Sequence, residues 1–238
     1  MNEVLKVSNL SAGYGPLQVL RDVEFTINPG ERVGLVGLNG HGKSTLFRAI
    51  TGLVGWQNGS ILLNGTEIGG RRTHGPGRTT HKIARQGIAL MPQGDAIFLG
   101  LTVREHLDAG AFTRRAWRER KVRRERLLEI FPALKNLLKQ PVGKLSGGER
   151  RMVSLARGLM GDAKLYLVDE PSLGLAPKVS RSVIDALAKV TLTEGAMVVA
   201  EQNLQILEGF VDRMIGMHAG ELKGDMGSNP APATSMEF

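Results

Sequence analysis

The chain has 238 residues and a formal net charge of +8, with 31 lysines and arginines against 23 acidic residues and no cysteine. That length can bury a full core near the upper size limit of one domain, so a single domain with lobes is expected. The missing thiol excludes disulfides, thiolate zinc sites and a cysteine nucleophile. No apolar run reaches the roughly 18 to 20 residues of a membrane helix, and Glu3 with the alternation after it does not read as a signal peptide; a soluble, unexported chain is expected.

The first stretch alternates, with Val4, Leu5 and Val7 followed by Val19, Leu20, Val23 and Phe25, as half-buried strands do. Asn64-Gly65 between Ile61-Leu62-Leu63 and Thr66-Glu67-Ile68 predicts a hairpin. Between them, Val33 to Val36 reads as a buried strand that runs into Gly37-Leu38-Asn39-Gly40-His41-Gly42-Lys43-Ser44-Thr45. This fits G-x-x-x-x-G-K-[ST], a phosphate-binding loop. Its glycines (Gly37, Gly40, Gly42) let consecutive N–H groups point at one anion, and a helix over Ser44 to Ile50 adds the positive end of its dipole. Lys43 would then hold β- and γ-phosphates and Ser44 would ligate Mg²⁺, with Asn39 and Thr45 completing the loop.

Arg71 to Thr80, rich in Gly, Arg, Thr and His, reads as a surface loop. Gly87 to Met91, Leu165 to Val168 and Met197 to Ala200 are short apolar runs, as buried parallel strands tend to be. From Thr102 to Met160 the pattern is largely helical. Within it, Arg114 to Arg126 holds eight basic residues against Glu119 and Glu125. Three readings stand for that run. It could be a solvated helix face, which Glu119 four residues before Arg123 supports; a surface near anionic lipid headgroups; or a nucleic-acid contact, which a lone aromatic, Trp117, serves poorly. Ser146-Gly147-Gly148-Glu149 has the spacing of a capping box, Ser-x-x-Glu, and its two glycines would let an anion approach the capped helix closely. Leu165 to Val168 runs into Asp169-Glu170-Pro171, two acids at a strand end. From Asp225 to Phe238 periodicity disappears, so a disordered tail is expected.

Phosphate loop, Leu145 to Glu149 and Leu165 to Pro171, in this order, resemble the loop, signature and Walker B motifs of the ATP-binding cassette (ABC) ATPases, from about Val4 to about Lys223. The resemblance implies an α/β fold: a P-loop (RecA-like), mostly parallel sheet core with an N-terminal antiparallel β subdomain and an inserted helical subdomain. Residues 1–92 and 163–224 would form the core, 93–162 the helical part and 225–238 the tail. Against the family pattern the Arg71 loop is enlarged. The implied ligands are ATP and Mg²⁺. Asp169 would meet the Mg²⁺ shell with Ser44 and Gln93, and Glu170 would be the base acting on the attacking water. Gln93 would also link the site to membrane subunits. Tyr14, in Gly13-Tyr14-Gly15, resembles the aromatic that stacks on adenine, against which stands a half-buried tyrosine of the β lobe. Ser146, Gly147 and Gly148 would close over the ATP of a second ATPase subunit, so the working unit would be a head-to-tail dimer.

Two departures narrow the resemblance. Ala176 stands where most cassettes carry the D-loop aspartate, and Gln202, in Glu201-Gln202-Asn203, stands at the switch histidine. With Met91-Pro92-Gln93-Gly94 and Ile97-Phe98, these resemble one of the paired ATPases of branched-chain amino-acid (Liv-type) importers, a group that also serves urea, amides and aromatic acids. That resemblance implies a non-identical companion ATPase, two permease subunits, an external solute-binding protein and a cytoplasmic place on the inner face of the membrane. Arg150 and Arg151 also resemble the ATPase of lipopolysaccharide export, so an exporter stands as an alternative. A soluble cassette protein acting on nucleic acid or ribosomes is a third reading, although those generally carry two cassettes in one chain.

Overall fold

The computed structural model describes residues 3–69, 80–94 and 96–225, and its strands fall into two sheets. The first part of the chain supplies β1 (Leu5–Tyr14), β2 (Leu17–Ile27), β3 (Arg32–Val36), α1 (Lys43–Ile50), β4 (Trp56–Leu63) and β5 (Thr66–Gly69). Four of these pair antiparallel in the order β2, β1, β4, β5. Alternation sets their inner face: Leu5, Val7, Leu10 and Ala12 are buried while Lys6 and Asn9 are exposed. The hairpin at Asn64-Gly65 forms with φ of 46° and 74°, positive at both residues as a two-residue primed turn requires, and Leu63 pairs with Thr66.

The rest of the chain gives α2 (Thr80–Arg85), β6 (Ile88–Met91), α3 (Val103–Gly110), α4 (Arg114–Ile130), α5 (Gly147–Leu159), β7 (Leu165–Asp169), α6 (Pro177–Ala188), β8 (Ala196–Glu201), β9 (Arg213–His218) and β10 (Glu221–Asp225). The second sheet runs β10-β9-β3-β8-β7-β6, parallel from β9 to β6, with β10 antiparallel at the edge. Every residue of β8 is buried, which is why its sequence is apolar without alternation up to its last residue, Glu201. Successive residues serve opposite faces. Met197 and Val199 join the core that holds α5 and α6, whereas Val198 and Ala200 join the core shared with α1 and the antiparallel sheet. Each such valine or methionine side chain is worth about 1.5 to 3 kcal/mol of burial.

The helices α3, α4 and α5 each start at a hydroxyl cap: Thr102, Thr113 and Ser146. Only Ala116, Leu127 and Leu128 of α4 are buried, so polar staples hold this charged helix down as well. Arg124 pairs with Asp108 of α3, and Arg123 bonds Glu119 at 2.6 Å, Asp162, and the carbonyl of Gly161 at 2.8 Å. Arg114, Arg118, Lys121 and Arg126 are exposed, and Arg120 stacks on half-exposed Trp117. The arginines of the basic run thus divide between structural ties and a solvated face. No helix among the described residues is long and apolar enough to cross a membrane.

Three expectations shift. The phosphate-loop helix begins at Lys43, one residue early. Asp225, expected to open a disordered tail, ends β10 because antiparallel pairing with β9 extends to it, and 226–238 lie outside the described residues. The expected loop over Arg71 to Thr80 lies outside them up to residue 79, and Thr80 opens α2.

Candidate functional site

The strand β3 delivers the chain to a tight turn in which Gly40 and Gly42 take φ of 83° and 107°, conformations that side chains disfavour. Packing adds a second demand, since a Cβ on Gly37 would lie 2.3 Å from the Met217 carbonyl oxygen. The end of β9 therefore walls the loop. His41 Nδ1 sits 3.0 Å from the same carbonyl, and the Gly220 N–H donates to the His41 carbonyl at 2.9 Å. The helix α1 then starts with no side-chain cap and no acid in its first turn, so its free N–H groups and dipole are offered to an anion. Asn39 and Gly40 form the exposed tip, whereas Thr45 is buried in the first turn of α1.

Lys43 Nζ donates to the carbonyls of Gly37 (2.7 Å) and Leu38 (3.2 Å) and lies 3.2 Å from Glu170 Oε1. Gln93 Nε2, just past β6, donates to Glu170 Oε2 at 2.7 Å. One network thus joins the phosphate loop to the ends of β7 and β6. Glu170 itself is held at φ 43°, a strained conformation for a side-chain-bearing residue of the kind that gathers at functional sites, with its N–H bonded to the Ala200 carbonyl at 2.9 Å. Beside it, burial pushes the Asp169 carboxyl above its ordinary range, against a hydrogen bond with the Ser44 side chain, and Asp169 Oδ1 is buried with no partner. A cation there would satisfy that oxygen. The described residues hold no cluster of three His, Cys, Asp or Glu. One carboxylate and one hydroxyl suit Mg²⁺, which keeps waters and takes substrate phosphates as further ligands.

Ser146 caps α5, and its reciprocal bonds with Glu149 close the capping box: the Ser146 N–H donates to Glu149 Oε2 at 2.8 Å and the Glu149 N–H to Ser146 Oγ at 3.3 Å. Its two glycines differ. A Cβ on Gly147 would meet open space, whereas one on Gly148 would lie 2.7 Å from Val179 Cγ1 of α6. No described hydrogen bond ties Ser146, Gly147 or Gly148 to the phosphate loop of the same chain. Gln202 is exposed just past β8. Tyr14 is half-buried, packs against the core of the β lobe and has its hydroxyl buried without a partner. Its flanking glycines answer to the β1–β2 hairpin: a Cβ on Gly13 would strike the Leu17 carbonyl at 2.0 Å, and Gly15 turns at φ 52°. They therefore give no support of their own to stacking on a base.

Two residues of this region, quoted in the sequence only for the motifs around them, had no part in the expected site. Glu201, buried at the end of β8, accepts the Ser172 N–H at 3.0 Å, and burial pushes its carboxyl up against the bonds from Ser172 and Gln202. An acid ending the apolar run Met197 to Ala200, as Asp169 ends Leu165 to Val168, was the available signal. Arg151 is buried on α5, four residues before Leu155 on the apolar face, a periodicity that would have shown it.

Residues 20–173 match the family model described as ABC transporter. Over 92% of its length the chain is 36% identical to the high-affinity branched-chain amino acid transport ATP-binding protein BraG of Pseudomonas aeruginosa, covering 91% of that protein. It is 38% identical to the probable branched-chain amino acid transport ATP-binding protein LivF of Archaeoglobus fulgidus over 85% of this chain and 83% of that one. Its fold resembles the crystal structure of a nucleotide-free ATP-binding cassette from an ABC transporter, with a TM-score of 0.79 at 22% identity over 95% of this chain and 92% of that one.

Proposed function

Since this chain belongs to the ABC transporter family, we propose that it is the ATP-hydrolysing subunit of an importer for branched-chain amino acids or related small polar solutes. The observation that carries the reading is the Lys43–Glu170–Gln93 network set against the uncapped start of α1, with the unpaired oxygen of Asp169 beside it. Phosphates of ATP lie on the loop N–H groups and on Lys43, which exchanges its contact with Glu170 for theirs. Ser44 and Asp169, with Gln93 nearby, would hold Mg²⁺, which would neutralise phosphate charge there. Glu170 accepts the proton of the water that attacks the γ-phosphorus, and ADP leaves.

The exposed position of Ser146 and Gly147, with open space where a Gly147 side chain would stand, suits a phosphate supplied by a second ATPase subunit. That second subunit is a non-identical companion, and the pair sits on two permeases at the inner face of the cell membrane, fed by an external solute-binding protein. Phe98 and Leu99, 64% and 61% exposed shortly after Gln93, are apolar surface of the kind a partner covers. The names of the relatives BraG and LivF, both branched-chain amino acid transport ATP-binding proteins, support the solute class, and nucleic acid has no part in this reading.

Lys43→Ala tests the site. Loss of a charge-assisted contact worth about 1.5 to 3 kcal/mol weakens ATP binding by about ten- to hundred-fold, read by calorimetry. Unchanged affinity would remove Lys43 from a nucleotide site.

A further inference from the structure

Resting on that reading, we propose that Arg151 is a positioning residue that sets the Gln93–Glu170 contact by gripping the backbone on both sides of each partner. The Arg151 side chain is buried, and its Nη1 donates to the Pro92 carbonyl at 2.8 Å and to the Gly94 carbonyl. Its Nη2 donates to the Asp169 carbonyl at 2.7 Å and its Nε to the Pro171 carbonyl at 3.3 Å. Pro92 and Gly94 flank Gln93; Asp169 and Pro171 flank Glu170. One guanidinium therefore fixes the two peptide segments whose side chains meet at 2.7 Å.

The chemistry requires this side chain. A guanidinium is a planar fork with five N–H donors, able to reach acceptors on two separate segments at once, whereas a lysine places three donors on one point. The segments also need outside support. Gln93 is exposed beyond the end of β6, and Glu170 stands at a strained positive φ, so neither conformation is set by a strand or helix of its own. Arg151 also lies on the helix that Ser146 caps. A displacement of α5, whose exposed first turn would meet the partner subunit's nucleotide, is thereby passed to the carboxylate that activates water.

The test compares wild type with R151K, R151Q, Q93A and the R151Q/Q93A double variant, measuring kcat for ATP, the Kd for Mg-ATP and the melting temperature. We expect kcat to fall by about 10- to 100-fold in R151Q and R151K, the cost of misplacing a catalytic group by about an ångström, with Kd within about two-fold of wild type. R151K, which keeps the buried charge and a donor, guards against reading an unfolded protein as an inactive one. In the double variant kcat falls no further than in the worse single variant, because both changes break one contact. Wild-type kcat in a folded R151K or R151Q would overturn the proposal. So would losses that multiply, or a loss carried by Kd instead of kcat. A wild-type protein that binds ATP but does not hydrolyse it alone or with its partners would instead defeat the ATPase reading on which the proposal stands.

Discussion

Glu170 is held at φ 43° while it touches both Lys43 and Gln93, so in the proposed site this acid would join the phosphate-binding lysine to the glutamine that links the site to its partners. Gln202 is the residue whose chemistry would most distinguish the proposed site from one with a switch histidine. It cannot take up a proton near neutral pH as histidine can, so in the proposed switch role it would give the γ-phosphate only an amide hydrogen bond, worth about 1.5 to 3 kcal/mol if desolvated. Gln202→Ala should lower hydrolysis in the assembled transporter, and Gln202→His should keep or raise it; full activity of the alanine variant, read as phosphate release, would place the switch elsewhere. Lys43 was legible from the spacing of its loop, whereas Asp169 and Glu170 stood out only through the order of motifs that carries the family resemblance; the structure brings Lys43 and Glu170 into contact. Arg151 and Glu201 were not read as part of the site, since their contacts there lie 18 to 59 residues away in sequence. Tyr14 shows the opposite limit: its flanking glycines looked like freedom for a ligand and are explained by a hairpin.

At the scale of elements, the capping box at the start of α5 is at once a structural device and the edge of a site, and its two glycines separate these roles. Gly148→Ala drives a methyl to 2.7 Å from Val179 Cγ1, a short β-branched side chain with little room to yield, so it should lower the melting temperature. Gly147→Ala meets nothing within the chain and replaces a helical glycine, so it should keep or raise stability by up to about 1 kcal/mol. The same variant should slow ATP turnover in the assembled transporter, where a methyl would stand between α5 and the partner's phosphate. If Gly147→Ala instead unfolds the chain, or leaves turnover untouched, the surface reading of this motif fails. The buried strands β3, β7 and β8 and the Asn64-Gly65 hairpin could be read from the chain because local pattern and tertiary demand agree there. The basic run on α4 was ambiguous because composition cannot distinguish Arg123 and Arg124, tied to Asp162 and Asp108, from the exposed arginines beside them.

For the whole molecule, the two sheets wedge α1 between them and aim the ends of β3, β6, β7 and β8 at one place, while the first turn of α5 remains at the surface. One chain thus holds a phosphate-binding loop motif and, separately, an exposed helix start that no described hydrogen bond ties to it. That incompleteness argues for a two-subunit ATPase, and residues such as Phe98 and Leu99 argue for further partners. The solute is not written in this chain, because in the proposed complex an ATPase subunit never touches it. The most direct measurement is uptake of labelled branched-chain amino acids, urea, short amides and aromatic acids by cells lacking this gene and by the same cells carrying wild type or Glu170→Gln. The account predicts that uptake of one of these solutes is lost, returns with wild type, and stays lost with Glu170→Gln even though that variant still binds ATP, since removing a positioned base slows hydrolysis by roughly 10² to 10⁴-fold. Uptake that survives the deletion for all of these solutes, or that Glu170→Gln restores, would contradict it.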